Sequence, residues 1–207
     1  MSIERKRLIH SMFFPGLFLL ALWLVKLAEI IFGFDPGFLG VHPLHVDGLP
    51  GILFSPFIHH DLKHLAANSV PIFVLGTSLF YFYREIAYRV FFLIYFLSGI
   101  WLWVGGRDAW HIGASGIIYG LASFIFISGL LRREARLMAL SMLVVFLYGS
   151  MVWGIFPNFM PEREISWEAH LMGLVAGLVL AVYYRHLGPQ RKIYEWEEEE
   201  EEEEENE

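Results

Sequence analysis

The chain has 207 residues, 56% of them hydrophobic and 17% aromatic, with a formal charge of −7 and no cysteine. Soluble domains are about 45–50% apolar, so this excess points to a membrane protein, while the lack of cysteine excludes disulfides, thiolate metal sites and a cysteine nucleophile. The negative charge sits mostly in the last segment, EWEEEEEEEEENE, and no long basic patch exists, which disfavours nucleic-acid binding.

Arg5-Lys6-Arg7 opens the chain and is followed by an apolar run from Met12 to Phe34. That run is too long for the core of a signal peptide and lacks an A-x-A cleavage site, so it reads as a first membrane span. A helix crossing about 30 Å of hydrocarbon needs roughly 20 mostly apolar residues. Further spans are expected at Leu65–Phe82, Ala87–Val104, Ser115–Leu131, Leu137–Ile155 and Ala169–Tyr184. The expected fold class is an all-α integral membrane protein with a six-transmembrane-helix bundle. Residues 1–11 are expected as an N-terminal arm, 12–187 as the membrane domain, and 188–207 as an acidic tail. Nine consecutive glutamates, Glu197 to Glu205, repel one another and cannot bury, so that tail is expected to be disordered.

An even number of spans places both termini on one side. Eleven Lys and Arg residues fall in the termini and in the second-to-third and fourth-to-fifth connections; only Lys63, Arg107 and Arg163 fall on the other side. The positive-inside rule then predicts N-in, C-in topology. Lys26 lies within the first span. The connection Gly33–Pro56 is long and rich in Gly, Pro and apolar residues. It is expected to lie in the membrane interface, packed on the protein, because bare loop backbone is not tolerated in lipid.

In this topology Ser115 opens the fourth span and His170 the sixth, on the same side and at matching depth. Each helix carries a G-x-x-x-G face beside its polar residue: Gly116/Gly120 on the fourth and Gly173/Gly177 on the sixth. Small residues at this spacing let helix backbones approach closely. A packing motif alone would explain either glycine pair, but two pairs flanking a serine and a histidine suggest that the side chains meet. Neutral imidazole can take the proton of a serine hydroxyl near pH 7 and so activate it as a nucleophile. Tyr119, one turn after Ser115, could stack beneath the imidazole.

The stretch HHDLKHLAANSV opens the second span. His64 and Asn68 are four apart, hence on one helical face, and both can donate side-chain hydrogen bonds. With the backbone N–H of Ser115 they form a candidate oxyanion site. A metal site at His59, His60 and His64 is the rival reading, but no ligating Cys or Glu pattern accompanies it. His59 is read as structural, capping the loop. No metal or organic cofactor is expected.

At these residues the chain resembles the rhomboid family of intramembrane serine proteases. GASG, Gly113 to Gly116, is similar to the family's nucleophile turn; AHLMGLVAG, Ala169 to Gly177, to its histidine helix; and HHDLKHLAAN, His59 to Asn68, to its second-helix motif. The resemblance covers about Met12 to Tyr184. It implies a Ser115–His170 dyad without a third acid, leaving Asp108, Glu164 and Glu168 unassigned. It also implies cleavage of transmembrane protein substrates near their outer ends, access past the second and fifth spans, and a cap at Phe156 to Trp167. The short termini and the lack of cysteine suit a prokaryotic plasma membrane. The chain departs from the family twice. No Trp-Arg pair occurs between Gly33 and Pro56, and Phe80 stands where the family often has glutamate. A non-catalytic protein that holds transmembrane helices in the same groove is the alternative, and a pore or transporter a weaker one.

Overall fold

A computed structural model describes residues 1–156 and 166–190. Its helices are α1 (Ile3–Phe32), α2 (Gly51–Phe54), α3 (Leu62–Phe82), α4 (Ala87–Gly105), α5 (Ser115–Arg132), α6 (Ala135–Tyr148) and α7 (Trp167–Tyr183). Four 3₁₀ segments supplement them, at Pro36–Leu39, Val46–Gly48, Ser55–Phe57 and Gly149–Ile155. Five helical stretches are long and apolar enough to cross a membrane, the fifth being α6 with the 3₁₀ stretch that continues it, and α7 is a shorter apolar helix. The protein is thus an all-α integral membrane bundle.

The first and fifth spans depart most from expectation. Helix α1 starts at Ile3 rather than Met12: Ser2 caps it by accepting from the Arg5 N–H, and Glu4 and Arg7 both engage Tyr81 of α3. The fifth span is α-helical only to Tyr148 and tightens into a 3₁₀ segment over Gly149–Ile155. Its two glycines, Gly149 and Gly154, weaken the helix where this change occurs.

Helix α5 is the centre of the bundle. Two thirds (67%) of its most apolar window is buried, against 22% for α1. Its closest partner is α7. The glycines set this approach. A Cβ on Gly173 would overlap the Gly116 carbonyl, and one on Gly177 would overlap the Gly120 carbonyl and Ser123 Oγ. On the facing side, a Cβ on Gly116 would stand 3.1 Å from the Ala169 carbonyl oxygen, and one on Gly120 would stand 3.1 Å from that of Gly173. Ser123 Oγ adds a hydrogen bond to the Leu174 carbonyl, 2.9 Å away. At the far end Arg132 is buried and donates to the Tyr184, Leu187 and Pro189 carbonyls, so the two helices are also tied where they leave the bundle.

Helix α1 packs on α3 where Pro15 meets Gly76. Beside this crossing Phe80 packs against Phe14 and Tyr88, with ring centroids 5.0 and 4.7 Å apart. An aromatic cluster therefore occupies the place of the family's glutamate. Helix α6 packs mainly on α5, where Ser141 Oγ donates to the Phe126 carbonyl. An apolar cleft of about 380 Å³ opens between α5, α6 and α7 below Tyr119.

The connection before α3 folds back over the bundle, as its composition suggests. Val41 is buried and pairs with His111 through two 2.8 Å backbone hydrogen bonds. The Leu44 N–H reaches the Trp103 carbonyl, and the Trp103 indole donates to the carbonyl of His45. Phe38, Leu44 and Val46 point outward. These contacts fasten the loop without a Trp-Arg pair.

Overpacking a close helix contact costs about 1–3 kcal/mol, and a chain of this size loses about 2–4 °C of Tm per kcal/mol. Gly120→Leu and Gly177→Leu are therefore expected to lower the Tm by about 4 °C or more, whereas Ser115→Ala leaves it within about 1 °C. Thermal unfolding in detergent checks this; unchanged melting of both leucine variants would mean that the helices do not meet through these glycines.

Candidate active site

Ser115 is the first residue of α5, and the turn before it depends on Gly113. That residue has φ +104°, a conformation that disfavours side chains, and its N–H is held by the Ser55 carbonyl at 2.9 Å. A Cβ here would stand 3.0 Å from His64 Cε1, 3.1 Å from His64 Nε2 and 3.9 Å from Asn68 Nδ2. Gly113 thus leaves open the space that both α3 side chains face. The N–H of Ser115, at the first position of a helix, has no acceptor within that helix.

Asn68 is 7% exposed, and its amide nitrogen has no hydrogen-bond partner among the described residues. A buried donor left unpaired is costly. Here it lies beside the serine turn, where a developing negative charge on a substrate would accept from it.

His170 is 8% exposed and held on two sides. Its ring stacks on Tyr119, with centroids 4.2 Å apart and planes 10° from parallel. Its Nδ1 lies 2.8 Å from the Gly154 carbonyl oxygen. A carbonyl can only accept, so Nδ1 carries the proton and Nε2 presents a lone pair. Tyr119 is anchored in turn by donating its hydroxyl to the Met151 carbonyl at 2.7 Å. Both rings therefore depend on the 3₁₀ segment after α6. Gly154 must be small: a Cβ there would overlap the Tyr119 hydroxyl and stand 3.1 Å from His170 Nδ1.

The backbone contact between Gly116 and Ala169 puts the neighbours of Ser115 and His170 against each other. Among the described residues no hydrogen bond joins the two side chains. Catalytic hydrogen bonds often tighten only once substrate is bound. Neither described acid reaches His170: Asp108 lies 2.8 Å from His42 Nε2, and buried Glu168 lies 3.5 Å from Arg107. Glu164 and most of the expected cap, residues 157–165, lie outside the described residues.

The cap of α3 is Asp61, whose carboxylate accepts from the His64 N–H at 2.7 Å, because an N-cap needs a short acceptor side chain at that position. The His59 ring is 1% exposed, neither of its nitrogens is bonded among the described residues, and it stands edge-on to His64 with centroids 5.0 Å apart. His59, His60 and His64 do not gather as a metal-ligand set among the described residues.

Three supports of the site were not among the residues singled out above. The Gly154 carbonyl is a backbone group and has no residue signature. Lys26 is buried and donates to the His59 and His60 carbonyls at 2.9 and 3.1 Å, fixing the turn into α3. Its signal was present, since a charge inside a span is a functional candidate. His111 takes a hydrogen bond from the Ser166 hydroxyl at Nδ1, 2.7 Å away, and donates from Nε2 to the Arg107 carbonyl. Ser166 caps α7, so His111 ties the serine loop to the histidine helix.

Burial pushes the pKa of His59 down to about 4, with the nearby His64 adding to the effect. A histidine with a folded pKa below its unfolded value stabilises the fold above about 6.5 and loses that contribution as pH falls toward the folded pKa. The Tm is expected to fall between pH 6.5 and 4, and His59→Gln should flatten that part of the decline. Melting curves of both proteins across this range check it; parallel curves would remove His59 from the account.

A family model for the Rhomboid domain matches residues 47–187, which include His64, Asn68, Ser115 and His170. An uncharacterized protein of Mycobacterium tuberculosis is 34% identical over 181 residues, spanning 84% of this chain and 75% of the relative. An uncharacterized protein of Mycobacterium leprae is 32% identical over 182 residues, spanning 84% of this chain and 71% of its own length. The Bacillus subtilis protein YdcA, provisionally named a rhomboid protease, is 32% identical over 135 residues, spanning 62% of this chain and 64% of that protein. The matched segment carries all the side chains that meet around Gly113 and Gly154, and the chain belongs to the rhomboid family.

Proposed function

We propose that this protein is an intramembrane serine endopeptidase that hydrolyses peptide bonds in or near the transmembrane segments of membrane proteins. The observation that carries this reading is the state of His170. It is buried, stacked on Tyr119, favoured as the Nδ1–H tautomer by its contact with the Gly154 carbonyl, and set against the helix that begins with Ser115. Such an imidazole has one task left for Nε2, which is to accept a proton.

In the proposed mechanism Ser115 Oγ attacks the scissile carbonyl carbon while its proton passes to His170 Nε2. The carbonyl oxygen becomes an oxyanion, held by His64, the unpaired Asn68 amide and the Ser115 N–H. His170 then protonates the departing amine, leaving an acyl ester on Ser115. Water gives a proton to His170 and attacks the ester carbon; as the ester C–O bond breaks, His170 returns that proton to Ser115 Oγ and the acid is released. The Gly154 carbonyl fixes the tautomer and also favours the imidazolium through each step, a role for which the reading needs no carboxylate.

Substrate helices would reach the site between α3 and α6. Support comes from α6, which rests mainly on α5 rather than on α3. We further propose an N-in, C-in orientation in a prokaryotic plasma membrane. Arg7, Arg84, Arg132 and Arg185 all lie at helix ends away from Ser115, where the positive-inside rule puts the cytoplasm. The domain limits at residues 12 and 187 belong to the same reading, as does a solvated acidic tail; residues 191–207 lie outside those described.

Ser115→Ala and His170→Ala are each expected to abolish cleavage of membrane substrates in liposomes, since the two residues act as one unit. Both should also abolish fluorophosphonate labelling of Ser115. Robust cleavage by purified Ser115→Ala would overturn the mechanism, and an unlabelled wild type without any cleavage would favour a binding protein instead.

Loss of one oxyanion donor costs about 10²–10³ in kcat in a soluble protease. Asn68→Ala is expected to lower kcat by about tenfold or more with little change in KM, the remaining donors limiting the loss. Steady-state kinetics separate the two; a change in KM alone would remove Asn68 from the oxyanion site.

A further inference from the structure

A second group of chemistry-bearing side chains lies away from the serine turn, where the loop before α2 meets the loop between α4 and α5. His42 and His45 stack face to face, with ring centroids 3.9 Å apart and planes 3° from parallel. Both Nε2 atoms face the same oxygen, Asp108 Oδ1, at 2.8 Å for His42 and 3.5 Å for His45. One ligand atom from each residue falls within 4.8 Å of the others. Trp110 covers the His42 ring, with centroids 4.5 Å apart.

Two features make this more than a hydrogen-bonded cluster. The other nitrogen of His42 faces a second carboxylate, Asp47 Oδ1, at 3.4 Å. That Nδ1 is buried and makes no hydrogen bond among the described residues. A histidine that ligates a metal through one nitrogen characteristically offers the other as N–H to a carboxylate, which fixes its tautomer. Two carboxylates beside the imidazoles also gather negative charge that a divalent cation would balance. In a tetrahedral zinc site with ligands at about 2.0–2.2 Å, neighbouring ligand atoms lie about 3.3–3.5 Å apart. The His42 and His45 distances to Asp108 bracket that spacing; because the two rings lie parallel, the half-exposed His45 ring must turn out of its stack for both Nε2 lone pairs to point at one ion.

We propose that His42, His45 and Asp108 bind a divalent transition cation of the zinc class, with Asp47 orienting His42. Imidazole ligands select zinc-like ions over magnesium and calcium, which prefer all-oxygen sites. Three protein ligands leave one position for water, and Asp108 and His45 are 81% and 52% exposed, so an ion can enter from solvent. The ion's effect is structural. It would clamp the same two segments that the Val41–His111 pairing joins, immediately before the turn that carries Gly113 and Ser115.

The test uses the full chain purified in detergent and stripped with a chelator. Isothermal titration with zinc chloride should give about one ion per chain. Zinc should raise the Tm saturably, because a ligand that binds only the folded state stabilises it by mass action; magnesium and calcium at the same concentrations should not. His45→Gln and Asp108→Asn should each weaken zinc binding by at least about tenfold, and Asp47→Asn, which alters only the orienting carboxylate, by about 10–100-fold. Ser115→Ala should bind zinc like the wild type, which separates this site from the proteolytic reading. Metal-free melting of the variants checks that they fold. Absence of zinc binding in the wild type, or zinc stabilisation that persists in the His45→Gln/Asp108→Asn double variant, would overturn the proposal; should either of those variants fail to fold, undiminished affinity in Asp47→Asn would do so.

Discussion

The contact on which the rest of the site depends is backbone against backbone, between α5 and α7. Lipid tails are as apolar as leucine, so no hydrophobic force drives two helices together within a bilayer; close van der Waals packing must do it. Gly116 and Gly120 face Gly173 and Gly177 so tightly that a Cβ on either α7 glycine would collide with an α5 carbonyl. Ser115 adjoins one end of that interface and His170 adjoins it on the other helix. A pair of larger residues would still give a bundle of apolar helices, but with the two polar groups held apart. Arg132, bonded to three carbonyls beyond the other end of α7, closes the same pair of helices away from the site.

A second constraint follows from the first. Once the helices are fixed, the imidazole must be aimed, and this protein aims it with a carbonyl and an aromatic face rather than a carboxylate. The choice suits the surroundings. An ionised acid buried at this depth would need its own partner, whereas the Gly154 carbonyl is neutral and exists only because the fifth span gives up its α-helical hydrogen bonding near its end. The 3₁₀ segment leaves carbonyls such as those of Met151 and Gly154 free to accept from Tyr119 and His170. The irregular backbone at that point is therefore part of the site.

The surrounding loops hold the serine turn from above. Val41 pairs with His111, Ser55 holds Gly113, and His111 reaches the cap of α7. The segment before α2 is thus continuous with the site, although several of its apolar side chains face outward. The His42, His45 and Asp108 cluster sits on this same junction.

Residue order alone marks the spans, because burying some 20 residues in hydrocarbon imposes a length and a polarity that leave little ambiguity. It also determined the candidate side chains: a serine and a histidine at matching helix starts, each beside a glycine pair, and His64 and Asn68 one turn apart. Topology made those readable, since alternating spans fix which helix ends share a side. It left open how far α1 runs ahead of the apolar stretch, which depends on the Ser2 cap and on contacts of Glu4 and Arg7 with the distant Tyr81. The anchoring of His170 came from packing. That depends on a backbone carbonyl sixteen residues earlier in the chain, on a helix changing its hydrogen-bond pattern, and on Gly154 being small enough to admit two rings. Backbone carbonyls are identical at every residue, so no pattern of side chains can single out the one that is left free.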